Sequence, residues 1–294
     1  MTSPETEALH REAIGLDDRP LAEAALILAE GQIAAAKALR NASDDIARAA
    51  DKLAAVLRSG GIIHYVAAGS SGLMAAADAQ ELGGTFSIPA EQLCIHMAGG
   101  LPTGVEMPGG TEDDTAGLEH ALADLSRSDA VIAVSASGTT PYTLEAVRIA
   151  RNAGATVVGI ANNAGSALLD LADHPILLAT PPEVLSGSTR MGAGTAQKIA
   201  LNMLSTLMAI RLGHVHDGMM VNLRADNIKL RARAAGMVAR IAGVDDAMAQ
   251  AALEDTCGSV KPAILVAKGQ LPDAAQSLLR ETEGNLRAAL ARLD

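Results

Sequence analysis

The sequence predicts an α/β protein with a doubly wound, mostly parallel five-stranded sheet, preceded by helices and followed by a small helical domain. Short β-rich runs that are apolar on both faces alternate with helical segments, which is typical of parallel strands covered on two sides. Hydrophobic residues make up 49% of the 294 residues, but aromatic residues only 1%. The core is therefore built from small aliphatic side chains, which favour close packing of helices on a sheet.

The predicted elements follow in chain order. Residues 1–58 are predicted to be helical, with Ser43 as the N-cap of a helix that ends at Gly60. Five strands then alternate with four helices. The predicted strands are Ile62–Ala67, Gln92–Met97, Ala130–Ser135, Thr156–Ala161 and Pro175–Leu178, and the helices between them lie near 71–82, 112–126, 141–153 and 166–172.

The remaining sequence predicts mostly helix. Two longer helices are expected at 193–212 and 225–242, and short helices with glycine and proline turns follow from Gly243 onward. We therefore predict three regions: an N-terminal helical segment at 1–58, the sheet domain at 59–242, and a small helical domain at 243–294.

Charge and cysteine usage exclude several classes of function. A net charge of −11 argues against a nucleic-acid surface, which needs clustered Lys and Arg. No run of about 20 apolar residues predicts a membrane helix, and the N-terminus lacks the pattern of a secretion signal. Cys94 and Cys257 lie far apart and fit a reducing compartment, and the His214 and His216 pair has no further ligand nearby. We expect a cytoplasmic protein with no metal.

Three loops rich in glycine, serine and threonine predict an anion site. Two follow the first and third strands, where loops border the ligand crevice of a doubly wound sheet, and the third precedes the helix at 193–212. Amides and hydroxyls at helix N-termini bind anions, so the three loops together indicate a phosphorylated small molecule; a tight turn remains the alternative for each of the first two. The candidate ligand residues are Ser70, Ser71, Ser135, Ser137, Gly138, Thr139, Thr140, Ser186, Ser188, Thr189, Arg190 and Lys198.

Two carboxylates stand beside these loops in the sequence. Glu81 ends the helix that leaves the first loop, and Glu112 lies where a helix is expected to begin after an N-cap at Thr111. Spacing alone favours ordinary roles for both, because an acidic residue in a first turn complements the helix dipole and a carboxylate late in a helix is commonly solvated.

Several motifs resemble one family from nearly end to end. The chain is similar to the N-acetylmuramic acid 6-phosphate etherases, which have the flavodoxin-like sugar isomerase (SIS) fold. The motifs are Ala68-Gly69-Ser70-Ser71-Gly72, Asp78-Ala79-Gln80-Glu81, Ala136-Ser137-Gly138-Thr139-Thr140-Pro141-Tyr142, Glu183-Val184-Leu185-Ser186-Gly187-Ser188-Thr189-Arg190 and Ala193-Gly194-Thr195-Ala196-Gln197-Lys198, with Asn227 beyond them.

The resemblance implies a reaction and an assembly. Glu81 and Glu112 fall on the two catalytic glutamates of the family: Glu112 as the base that removes the C2 proton of the ring-opened sugar, and Glu81 as the acid that protonates the departing lactyl ether oxygen. An ordinary Glu has a pKa near ~4.3, so this role requires Glu81 to be buried or close to another carboxylate. No cofactor is implied. A homodimer with a shared site is implied, and the apolar helices at 21–37 and 193–212 could form its interface.

Some positions depart from the family pattern. Leu73, Thr139, Gly192 and His214 stand where the family usually has Arg or Lys. Each charge-assisted hydrogen bond is worth about 1.5–3 kcal/mol, so the substituent recognised on the sugar is open. Two alternatives to the etherase therefore remain: a lyase or isomerase acting on another sugar phosphate, and a non-catalytic sugar-phosphate sensor.

Overall fold

A computed structural model describes residues 5–107, 109–223 and 228–293. Five parallel strands form its main sheet, in the order β2-β1-β3-β4-β5. This arrangement confirms the predicted doubly wound fold, and each predicted strand lies within one residue of its observed position. The strands are β1 (Ile63–Ala67), β2 (Leu93–Met97), β3 (Ala130–Ser135), β4 (Thr156–Ala161) and β5 (His174–Leu177).

Twelve α-helices are present in the described residues. They are α1 (Leu21–Lys37), α2 (Leu39–Arg58), α3 (Gly69–Phe86), α4 (Leu118–Ala121), α5 (Pro141–Ala153), α6 (Ala167–Leu171), α7 (Gly192–Arg211), α8 (Ile228–Ala242), α9 (Asp246–Asp255), α10 (Val260–Ala267), α11 (Pro272–Glu281) and α12 (Leu286–Leu290), with a short antiparallel pair, β6 (Val215–His216) and β7 (Met219–Met220). Among the described residues, no helix combines the length and apolar character needed to cross a membrane.

Contacts within the chain divide it into two compact units, one of residues 1–80 and 91–205, the other of residues 81–90 and 206–294. In the first unit, β1 and β3 are buried along their whole length. Val66 and Val131 pack with Leu118, Val147 and Leu168 in an aliphatic cluster on one face of the sheet. Because β1 pairs with β2 on one side and β3 on the other, the order reverses at β1, and ligands of such sheets bind beside that reversal.

The second unit is helical. Its core is a cluster that includes Val238, Ile264 and Leu286, and helix α8 packs against α9 and α10. The predicted domain boundary at residue 243 stays a prediction, but the contacts group α8 with the later helices. The first residues of the predicted helix at 225–242, Asn227 among them, lie outside the described residues.

Two local predictions were wrong. The helix expected over 112–126 is reduced to the single turn α4, because Asp114 accepts a hydrogen bond from the amide of Ala116 at 2.9 Å and such turns compete with helix formation. Thr111 is consequently not an N-cap. Ser43 is not an N-cap either: it lies inside α2, where its hydroxyl donates to the carbonyl of Arg40 at 3.0 Å.

Candidate functional site

The loop between β3 and α5 gathers four hydroxyl groups. Ser135 Oγ lies 2.8 Å from Thr140 Oγ1 and 3.2 Å from Ser137 Oγ, and it accepts the amide of Gly138 at 3.0 Å. Thr139 donates to Ser137 Oγ at 3.1 Å. Ser135 is buried, whereas Thr139 is exposed. The structure therefore brings this set of predicted residues together in one connected cluster at the carboxyl end of the sheet.

Gly138 is required by the shape of this loop. Its φ is +71°, and a Cβ there would lie 2.2 Å from Ser166 Oγ. Ser166, at the start of α6, is buried. A side chain at 138 would thus meet both an unfavourable backbone conformation and a steric overlap, and only glycine lets the two helix starts approach this closely.

Residues that the sequence analysis did not single out brace the same loop. Asn163 donates to the carbonyl of Ser137 at 3.3 Å and to Thr6 Oγ1 at 2.9 Å, and it accepts the amide of Thr6 at 3.2 Å. Thr6 is buried although it is near the N-terminus. Thr6 and Asn163 are 157 positions apart in the sequence, so their pairing depends on the fold and could not be predicted from the sequence alone.

Glu112 lies beside the first two predicted loops. A Cβ on Gly69, the first residue of α3, would lie 2.6 Å from Glu112 Oε1, so this carboxylate approaches the start of α3 directly. The carbonyl of Glu112 also accepts the amide of Tyr142, in the first turn of α5, at 3.0 Å. The Glu112 side chain remains exposed. A carboxylate and a hydroxyl cluster therefore occur at the same edge of the sheet.

The loop after β2 forms a cavity. This loop, which leads toward Glu112, lines the cavity of about 690 Å³ with residues between Gly99 and Gly109. Ser70 and Ser71 lie in the first turn of α3, with Ser71 the more buried of the two. A second cavity, of about 630 Å³, lies along α8 and α9, and none of the described residues that line either cavity is a predicted site residue.

The buried carboxylate of Asp78 holds α3 in place through three hydrogen bonds. Asp78 accepts hydrogen bonds from Tyr65 at 3.1 Å, Asn202 at 2.8 Å and Ser205 at 2.9 Å. Burial raises the pKa of Asp78, and the three hydrogen bonds oppose that rise. The network links β1, α3 and α7 within the first unit, so it holds the helix that carries Ser70 and Ser71.

The third predicted loop is different, because the leading amides of α7 already have acceptors within the chain. Glu183 is buried and its two carboxylate oxygens accept the amides of Gly192 and Ala193, each at 2.8 Å. The next two amides, of Gly194 and Thr195, donate to carbonyls of the preceding turn at 2.8 Å. The first turn of α7 therefore already holds an anion, and it belongs to the protein.

The remaining predicted residues are placed as follows. Ser186 and Arg190 are exposed, as is Lys198 on α7, while Ser188 and Thr189 are half-buried. Their contact with a ligand stays a prediction.

Glu81 lies on α3 and is exposed, so the burial expected of a proton donor is not found within the chain itself.

In the second unit, His214 lies 3.0 Å from Nζ of the buried Lys261, and burial lowers the pKa of Lys261 to about 8.

The sheet order and a match to a known family define the class of protein. The SIS domain family matches residues 112–212, which contain Glu112, the hydroxyl cluster and all of α7. The chain is thus an SIS-domain protein. Among solved structures, a protein from Bacteroides fragilis described as a phosphosugar isomerase involved in capsule formation is 20% identical, with a TM-score of 0.53 over 68% of this chain and 95% of that one; this likeness concerns the fold.

Sequence relatives identify the family. An N-acetylmuramic acid 6-phosphate etherase of Deinococcus radiodurans is 44% identical over 97% of this chain and 93% of its own length. The enzyme of the same name from Serratia proteamaculans is 37% identical over 98% of both chains. The chain belongs to the N-acetylmuramic acid 6-phosphate etherase family.

Proposed function

We propose that this chain is an etherase that converts N-acetylmuramic acid 6-phosphate and water into N-acetylglucosamine 6-phosphate and D-lactate. One observation carries the proposal: the carboxylate of Glu112 lies against the start of α3, and its own backbone holds the start of α5, beside the hydroxyl cluster. Relatives that carry the etherase name over nearly the full chain support it. The reaction belongs to cytoplasmic recycling of cell-wall amino sugars.

The proposed chemistry is an elimination followed by a hydration. In the ring-opened sugar, the aldehyde acidifies the C2 proton, which Glu112 removes as general base. The C3–O bond breaks, C2 and C3 become doubly bonded, and Glu81 protonates the departing ether oxygen so that D-lactate leaves. Water then adds its oxygen to C3, and a proton returns to C2. No electrons are gained or lost, and no cofactor is required.

The proposed phosphate site is the cluster formed by Ser135, Ser137, Thr139 and Thr140. A hydroxyl can rotate to donate to an anion. Ser70 and Ser71, in the first turn of α3, add donors at a helix N-terminus.

Positive charge is absent at three positions where the family usually has Arg or Lys, namely Leu73, Thr139 and Gly192. Arg190, in the loop before α7, and Lys198, on α7, are exposed. We propose that these two cations bind the substrate's charged groups. Fewer charge-assisted hydrogen bonds weaken binding, so we expect a high KM rather than a slow chemical step.

We further propose a homodimer with a shared site, formed through α1. This helix has 17 residues but only Ala35 is buried, while Leu21, Leu26 and Ile33 are exposed. Leu26 and Ile33 lie on one face of the helix, and exposed apolar side chains grouped in this way are typical of a partner surface. Helix α7, the other predicted interface, already buries Ala196, Leu201 and Leu204 inside the chain, so α1 is the better candidate.

The test is release of D-lactate from N-acetylmuramic acid 6-phosphate. We expect turnover by the wild type, a loss of at least about a hundredfold in Glu112→Gln and Glu81→Gln, and unchanged turnover in Glu119→Gln, an exposed carboxylate on α4. Calorimetry with N-acetylglucosamine 6-phosphate shows whether each variant still binds.

Three results would overturn parts of the proposal. Full activity in either catalytic variant removes that glutamate from the mechanism. Isomerisation of another sugar phosphate without lactate release favours an isomerase, in which Glu112 alone moves the C2 proton. Binding without any turnover favours a sensor.

A further inference from the structure

A second set of reactive side chains lies inside the sheet, away from the loops. His64 on β1 is the direct register partner of Cys94 on β2, and His96 follows two residues later on β2. Residues two apart on a strand share a face, so all three side chains project from one side of the sheet. One ligand atom from each lies within 4.8 Å of the other two.

The distances suit a metal ion. His64 Nδ1 lies 3.0 Å from His96 Nε2. Two imidazole nitrogens on a tetrahedral Zn²⁺, each about 2.0–2.1 Å from the metal, lie about 3.3–3.4 Å apart. The observed separation is therefore within a few tenths of an ångström of that of two imidazoles on one Zn²⁺. Nitrogen and thiolate donors together select borderline cations such as Zn²⁺ over Mg²⁺ or Ca²⁺.

Burial and access also fit an ion site. His64 is 7% exposed, so this ligand is almost entirely shielded from solvent. Cys94 and His96 are only half-buried, because β2 is the edge strand. An ion can thus enter from the edge, and solvent can supply a fourth ligand.

The local charges permit a cation. Asp129, which accepts the amide of Ile62 at 2.8 Å, places a negative charge close enough to act on His64 and Cys94. The alternative is a stacked histidine pair joined by one hydrogen bond, which leaves the Cys94 thiol without a role.

We propose that His64, Cys94 and His96 form a Zn²⁺ site at the edge of the sheet. Binding displaces the thiol proton of Cys94 and leaves the fourth position to water. The ion ties β2 to β1 and so stabilises the sheet. Because the three residues lie within the strands, the ion takes no part in the chemistry proposed for Glu81 and Glu112.

The experiment uses metal-free full-length protein titrated with Zn²⁺ by calorimetry and with Co²⁺ by absorption spectroscopy. We expect one ion per chain and a thiolate-to-cobalt charge-transfer band. Cys94→Ser should remove the band and weaken binding by at least about tenfold, and His96→Asn should weaken it similarly. Cys257→Ser, which changes the exposed cysteine, should leave both unchanged.

Thermal unfolding supplies a second readout. Saturating Zn²⁺ should raise the Tm of the wild type and of Cys257→Ser, since a ligand that binds only the folded state stabilises it, but not that of Cys94→Ser. A thiolate band that survives in Cys94→Ser, or no stoichiometric binding by a folded wild type, would overturn the proposal. Sugar-phosphate turnover is measured separately, so failure of this proposal leaves the etherase proposal intact.

Discussion

The loop before α5 and the loop before α7 look alike in sequence but are used differently. Both are rich in glycine and hydroxyl residues, and both precede a helix. Before α5, the hydroxyls of Ser135, Ser137 and Thr140 bond mainly to one another and to their own loop. Before α7, the buried carboxylate of Glu183 takes the two leading amides.

The comparison shows that a polar, glycine-rich helix start in a sequence does not by itself indicate a ligand site. A helix N-terminus attracts an anion, but that anion can be a ligand or a side chain of the protein. Rotatable hydroxyls can be redirected to a phosphate, whereas amides held by an internal carboxylate are not available to one. We therefore propose that the ligand binds chiefly at the loop before α5, whereas the start of α7 is held by Glu183.

The largest expected effect comes from removing the internal anion. Glu183→Ala leaves the amides of Gly192 and Ala193 buried without an acceptor, at about 1–3 kcal/mol for each. We expect the free energy of unfolding to fall by about 4 kcal/mol in urea denaturation, and by less in Glu183→Gln, which keeps one acceptor oxygen.

Added sulfate sharpens this test. In Glu183→Ala, sulfate should raise the Tm more than it does in the wild type, because the helix start can then bind an external anion. A variant as stable as the wild type, with no such gain, would contradict the role given to Glu183.

The second largest effect is expected from adding a methyl group to the loop before α5. Gly138→Ala combines a positive φ with a Cβ only 2.2 Å from Ser166 Oγ, so we expect a loss of about 2–3 kcal/mol in stability. Gly165→Ala is the matched control, since its φ is +65° and no atom lies within 4 Å of the added Cβ. It should lose about 1 kcal/mol. Equal losses would show that backbone strain alone, not the contact with α6, makes glycine necessary.

Removal of single hydroxyls tests ligand binding in the two loops directly. Ser137→Ala should raise KM about tenfold, equivalent to about 1.4 kcal/mol, with kcat changed little, because the phosphate lies away from the reacting carbons. Ser188→Ala should raise KM by less than about threefold. If both variants raise KM alike, in steady-state assays of D-lactate release, then the third loop binds substrate as strongly as the second and the comparison fails.

The smallest effect concerns the brace behind the loop. Asn163→Ala removes the donor to the carbonyl of Ser137 and the partners of Thr6. We expect a loss of about 1 kcal/mol in stability and a modest rise in KM. Asn152→Ala, on the exposed face of α5, is the control and should change neither. An unaltered Asn163→Ala would mean that the loop holds its shape without the N-terminal segment.

The fold could be predicted from sequence because its strands are apolar on both faces, as in Ala130–Ser135 and Thr156–Ala161. Local competition was harder to foresee. The helix expected from residue 112 fails because the Asp114 side chain bonds to the amide of Ala116. The small and acidic residues of this segment are compatible either with a helix or with the turn that Asp114 forms.

The site could be predicted only where its parts are contiguous. The Ser135–Thr140 loop was found because its hydroxyls are neighbours in the chain. The use of Glu183 as a helix cap was missed, since nine residues separate it from Gly192. The cluster of His64, Cys94 and His96 was missed for the same reason: it forms only when β1 pairs with β2.

The most direct test of the central claim is mass spectrometry of products formed from N-acetylmuramic acid 6-phosphate in D₂¹⁸O. Elimination and hydration break the bond between C3 and the ether oxygen, so we predict ¹⁸O at C3 and deuterium at C2 of N-acetylglucosamine 6-phosphate, with no ¹⁸O in the lactate ether oxygen, and neither label incorporated by Glu112→Gln. Lactate that carries ¹⁸O at that position, or a sugar that keeps its original C2 hydrogen, would contradict the account.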